Sequence, residues 1–118
     1  MRNARAKTPP RYALIKKAAL ALPGVSETFH HGPWFTVGAK SFVNYWEPEK
    51  RWIFKLPKDL QEMYFDARGD IFQPMTHGAL RWSYVAVEAL KPAEIRRLVT
   101  MAWRMVATRK LQRELVDD

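Results

Sequence analysis

The stretch from Ser41 to Leu56 limits the fold more than any other part of this sequence. Ser41-Phe42-Val43-Asn44-Tyr45-Trp46 and Arg51-Trp52-Ile53-Phe54-Lys55-Leu56 are runs of β-branched and aromatic residues. They are joined by Glu47-Pro48-Glu49-Lys50, and together they predict an antiparallel hairpin. In the second run Trp52, Phe54 and Leu56 share one face, while Arg51, Ile53 and Lys55 share the other. That alternation belongs to a half-buried strand.

Helical patterns flank this hairpin in the sequence. Thr8-Pro9-Pro10 predicts a helix start with Thr8 as N-cap and Pro9 in the first turn. Tyr12, Ile15, Ala18, Ala19 and Leu22 follow at helical spacing, and Pro23-Gly24 ends the helix. Phe29 and Trp34-Phe35-Thr36-Val37, broken at Gly32-Pro33, predict a short extended pair. Pro57 and Asp59 open a short helix with Leu60, Met63, Tyr64 and Ala67 on its apolar face, closed by Arg68-Gly69-Asp70. Ile71-Phe72, a His77-Gly78 turn and Leu80–Val87 predict two more strands. Pro92 starts a last helix with Ile95, Leu98, Val99, Ala102, Met105 and Val106 on one stripe, and Arg97 and Arg104 opposite. The order is helix, three or four strands, helix, two strands, helix: an α+β fold on an antiparallel sheet.

The chain has 118 residues, 47% of them hydrophobic and 13% aromatic, which suits one domain over residues 9–118 behind a disordered basic tail, residues 1–8. It has no cysteine, which excludes disulfides, thiolate metal sites and thiol nucleophiles. No stretch approaches the roughly 18 apolar residues of a membrane span. No secretory signal is visible, so the expected location is cytoplasmic.

The net charge of +8 is unevenly spread. Residues 1–17 hold six basic residues and no acid, residues 18–90 hold seven against eight acids, and residues 91–113 hold seven against one. The excess therefore belongs to the terminal segments, where lysine and arginine are suited to the counterion-releasing contacts of a phosphate backbone. Arg11, Lys16, Lys17, Arg96, Arg97, Arg104, Arg109 and Lys110 are the candidate residues, with Arg2, Arg5 and Lys7 in the tail. Arg51 and Lys55, on an aromatic strand, are candidates for cations beside stacked bases. Trp46, Trp52, Phe42, Phe54, Trp82 and Trp103 are expected to fill the core.

Catalytic and metal chemistry find little footing. Adjacent His30 and His31 point to opposite faces of a strand, so with His77 they make a poor zinc site, and no cofactor is expected. Ser26, Ser41 and Ser83 lack a nucleophile-elbow context, and no phosphate-cradling glycine loop is present. Glu27 with His30, or Asp70 with His77, are chance pairings, so the protein is expected not to be an enzyme and shows no small-molecule substrate signature.

Four pieces in order resemble the MmcQ/YjbR-like family of small bacterial proteins, commonly described as DNA-binding. They are Ala21-Leu22-Pro23-Gly24 with Glu27, Phe35-Thr36-Val37-Gly38-Ala39-Lys40-Ser41-Phe42, Trp82 before the strand to Val87, and Leu90-Lys91-Pro92. The resemblance covers roughly residues 11–112. It implies an α+β fold similar to the type III secretion chaperones, with wing-like projections, and a binding role without enzyme activity. The expected partner is nucleic acid, DNA before RNA, with a homodimer possible. The alternative is a chaperone-like protein-interaction adaptor.

Overall fold

Alternating apolar residues in six segments form one antiparallel sheet, and a computed structural model describes it within residues 8–75 and 81–115. The elements are α1 (Tyr12–Leu20), β1 (Val25–Phe29), β2 (Pro33–Val37), β3 (Lys40–Trp46), β4 (Arg51–Lys55), α2 (Lys58–Ala67), β5 (Phe72–Pro74), β6 (Trp82–Val85), α3 (Pro92–Arg104) and α4 (Arg109–Glu114). The strand order is β1-β2-β3-β4-β6-β5, so α2 carries the chain past one position and β6 inserts between β4 and β5. The α+β class and the antiparallel sheet are as expected. The predicted hairpin forms, turning through Glu47–Glu49 with Lys50 left-handed at φ 53°. It makes the centre of the sheet rather than a projecting wing.

Register sorts the residues by face. Phe35, Val43, Phe54 and Ser83 are cross-strand neighbours, as are Tyr45, Trp52, Val85 and Phe72, and this side meets the helices. A bulge opposite Phe35 and Thr36 leaves Phe42 as an extra residue, so Phe42 and Val43 both enter the core. Ile15, Ala19, Leu98, Val99, Ala102 and Trp103 complete the core from α1 and α3. The other side of the sheet carries Thr28, Trp34, Asn44, Ile53, Tyr84 and Gln73 in one row, with Trp46 beside Arg51 and Trp82 beside Lys55.

Several boundaries move from their sequence expectation. The first helix starts at Tyr12, not at Thr8-Pro9, because a residue preceding proline is excluded from helical geometry and Pro9 precedes Pro10. Arg11 enters the helix left-handed at φ 61°. The face of α2 is rotated: Met63 and Ala67 are exposed, while Gln61 is buried and donates to Ser83 Oγ at 2.8 Å. Tyr64 does pack inward, its ring stacked 4.0 Å from that of Phe72. The last strand stops at Val85, and Val87–Ala89 form a 3-10 turn. The last helix is two, since Thr108 caps α4 by accepting from the Leu111 amide at 3.2 Å. The tail to Lys7, the His77-Gly78 turn and Leu80 lie outside the described residues.

Candidate nucleic-acid interface

Two long-range hydrogen bonds orient the helical layer. Arg11 at the start of α1 donates to the Leu90 carbonyl just before α3, at 2.8 Å. Trp103 near the end of α3 donates its indole N–H to the Pro23 carbonyl just after α1, at 2.9 Å. With both starts and both ends tied, α1 and α3 run parallel. Leu111 of α4 sits against Gly24, where an added methyl group would lie 3.0 Å from its Cδ1. Gln112 donates to the Ala107 carbonyl at 3.0 Å. The short helix α4 therefore docks where α1 and α3 both end.

This geometry gathers some of the candidate cations and removes others. Lys17 lies in the last turn of α1, Arg104 ends α3, and Arg109 and Lys110 open α4. All four are exposed, as are Arg96 and Arg97. On α3, Arg96, Arg97 and Arg104 fall within about 100° of arc, and Arg97 and Arg104 are separated by about 10 Å along the axis. None of the six has an ion-pair partner among the described residues. Arg113, exposed on α4, joins them, although only its charge marked it in the sequence. Cations at helix C-termini also complement the helix dipoles, a favourable local term for Lys17 and Arg104.

Arg11 and Lys16 are committed elsewhere. The Arg11 guanidinium holds the Leu90 carbonyl. Lys16 pairs with Glu27 at 3.4 Å, and Glu27 also accepts from the Tyr12 hydroxyl. The Glu27 carboxylate holds the Lys16 ammonium above its ordinary range, while burial and then the bond to Glu27 raise the Tyr12 phenol. Arg51 and Lys55 occupy the opposite side of the sheet from the helices. Arg51 donates to Gln73 Oε1 at 2.7 Å and lies 4.0 Å from the Tyr84 ring centroid, and Lys55 lies 5.5 Å from that of Trp82. The ten candidates thus do not form one surface.

The aromatic residues also divide between the two sides. Phe42, Trp52, Phe54 and Trp103 are buried in the core as expected. Trp46 and Trp82 are not core residues. They are half-buried on the helix-free side, where strand parity sends them away from Trp52 and Val85. Ile53, expected on a polar face, is buried among them. Trp34 and Asn44 belong to the same surface and were not singled out by sequence. The presence of aromatic residues at both parities of these strands is the signal that could have found it.

The described residues thus form a sheet with one side sealed by helices, whose exposed cations have no ion-pair partner among those residues, and with aromatic side chains on the other side. A model of the YjbR family matches residues 20–105, and the chain belongs to that family. It is similar in fold to the crystal structure of the Deinococcus radiodurans protein DR2400, a domain of DUF419, with a TM-score of 0.68 and 18% identity. That match covers 85% of this chain and 83% of the other. No curated protein matches the sequence. Among the described residues no helix is long and apolar enough to cross a membrane.

Proposed function

We propose that the protein is a non-enzymatic nucleic-acid-binding module that grips the phosphate backbone through the outward side of its helical layer, with low sequence specificity. The supporting observation is the parallel arrangement of α1 and α3 with α4 at their shared end, where Lys17, Arg104, Arg109 and Lys110 lack carboxylate partners among the described residues. Arg96 and Arg97 extend the cationic strip along α3. Such charges release condensed counterions from any duplex and read no base edge, so affinity is general and salt-sensitive. DNA is the first partner to test, in a cytoplasmic setting.

The adaptor reading and a homodimer joined face to face both need a continuous apolar patch. The exposed large apolar residues among those described, Leu20, Phe29 and Met63, sit on α1, β1 and α2, so the surface such an adaptor or homodimer would use is the aromatic side of the sheet, away from the exposed cations of the helical layer. Fluorescence anisotropy with labelled duplexes of two unrelated sequences, at salt low enough that the screening length is about 20–30 Å, tests it. Equal binding to both is expected, and absence of binding overturns the proposal.

A further inference from the structure

The two edges of the sheet are built differently. At one edge β5 is three residues long and ends in Pro74, which has no N–H to offer, so that edge is blunted. At the other edge β1 is five residues, Val25-Ser26-Glu27-Thr28-Phe29, in unbroken register with β2 and without proline or lysine. Among the described residues no strand pairs with its outer side. Alternate main-chain N–H and C=O groups of β1 therefore face outward, a template for a further strand. Helix α1 runs back along this edge. Its Tyr12 and Lys16 both reach Glu27, and Leu20, four residues on, falls on the same stripe. The helix side of the edge thus carries Tyr12 and Phe29 at one end, Lys16 with Glu27 in the middle, and Leu20 with Val25 at the other. Phe29 is 65% exposed and Leu20 43%, large apolar groups left in water at the two ends.

Outward from Glu27, β1 has the same chemistry in both directions: a hydroxyl residue, Ser26 or Thr28, and then an apolar one, Val25 or Phe29. Two copies of a strand related by a two-fold axis pair antiparallel, and residues equally far from the axis on opposite sides then meet. We propose that the chain forms a homodimer by pairing β1 with β1 of a second copy about a two-fold at Glu27, joining the two sheets into one. In that register Val25 meets the partner's Phe29 and Ser26 meets the partner's Thr28, each twice, and both are favourable cross-strand pairs. Each exposed Phe29 ring is carried to the Leu20 and Val25 end of the other copy. Glu27 meets its own counterpart, a repulsive pair if bare, but each carboxylate is already met by Lys16 at 3.4 Å and by the Tyr12 hydroxyl. A foreign strand would need this same order of residues, whereas a second copy has it by identity. The two-fold between antiparallel strands stands perpendicular to the sheet, so both helical layers lie on one side and their exposed cations face the same way. The doubled cationic side that results rests on the proposed function; the dimer itself does not.

The test is the mass of the full chain by analytical ultracentrifugation, from about 1 μM to about 1 mM. Salt of about 0.5 M screens the repulsion between two chains of net charge +8 each. The mass should rise with concentration from 13.8 kDa toward twice that value. Amide exchange gives the second readout, because the outward N–H groups of β1 should gain protection over the same concentration range. Thr28→Lys puts a charge on the exposed edge and Phe29→Ser removes the exposed ring. Each should weaken the dimer at least roughly tenfold with the circular dichroism of the parent, and either alone carries the test if the other does not fold. Trp46→Ala, on the helix-free side, should leave the dimer intact. A chain that stays monomeric throughout overturns the proposal, as does a dimer that both edge variants leave unchanged or that Trp46→Ala alone dissociates. Duplex binding at low salt is measured separately, so either reading can fail alone.

Discussion

Replacing Arg97 and Arg104 by glutamine removes two of the six sequence-predicted cations that have no ion-pair partner among the described residues, without touching the core, since both side chains point away from the stripe formed by Ile95, Leu98, Val99 and Ala102. If all six of Lys17, Arg96, Arg97, Arg104, Arg109 and Lys110 neutralise phosphates, the logarithm of affinity falls with the logarithm of salt at a slope of about −5.4. Between about 50 and 200 mM salt that is a loss of roughly 2,000-fold. Four remaining contacts give a slope of about −3.6 and a loss of roughly 150-fold over the same interval. The assay is anisotropy of a labelled duplex across a salt series, with circular dichroism confirming that the double variant is folded. Two outcomes refute the reasoning: a parent slope shallower than about −2, or a double variant whose slope matches the parent's. Weakening confined to one duplex sequence also counts against it, because phosphate contacts carry no base information.

Glu94 lies at 3.3 Å from Arg68 Nη2 in a two-pronged pair whose hydrogen bonds hold its carboxyl below the usual carboxylate range. A carboxylate lowered in the folded state stabilises above its ordinary pKa and loses that contribution as pH falls through the folded value. Glu94→Gln should therefore cost about 1 kcal/mol at neutral pH and progressively less as acid protonates the carboxyl in the folded protein, read by urea unfolding across a descending pH series. Gly24→Ala and Gly38→Ala both force alanine to positive φ, +76° and +59°, but only the first meets a neighbour, Leu111. Each should lose about 1 kcal/mol for the backbone, with Gly24→Ala losing more in thermal unfolding, and equal losses would discount the docking of α4. Trp103→Phe keeps an aromatic ring in the core but drops the pyrrole ring with its N–H, leaving the Pro23 carbonyl without its donor and a cavity beside it, an expected loss of at least about 1–3 kcal/mol, and an unchanged unfolding midpoint would remove that tie between α1 and α3.

How much was readable in advance depended on whether a residue acts locally. The Glu47-Pro48-Glu49-Lys50 turn, the strand alternation about Trp52 and Phe54, and the stripe from Ile95 to Val106 are short-range patterns, and each formed the predicted element. Element ends were less legible, because they turn on single atoms: the Pro10 ring that excludes Pro9 from the helix, and the Thr108 hydroxyl that starts α4. The division of the candidate cations was not legible at all. Lys16 and Lys17 are neighbours in sequence, yet the chain brings Glu27 to the first and leaves the second exposed.

Composition, spacing and turn chemistry determined the α+β class, the antiparallel sheet, the absence of thiol chemistry and the terminal concentration of basic charge, because these follow from residue identity and local period. Only the tertiary structure decided which side of the sheet faces the helices, and so which tryptophans are core and which line an open pocket. A strand's period of two separates residues into two faces but does not say which face another element will cover. Likewise, the direction of α3 relative to α1 came from two contacts between residues 79 and 80 positions apart in the chain, Arg11 with Leu90 and Pro23 with Trp103. Contacts of that span leave no periodic trace in a sequence. They are what place Lys17, Arg104, Arg109 and Lys110 at one end of the molecule.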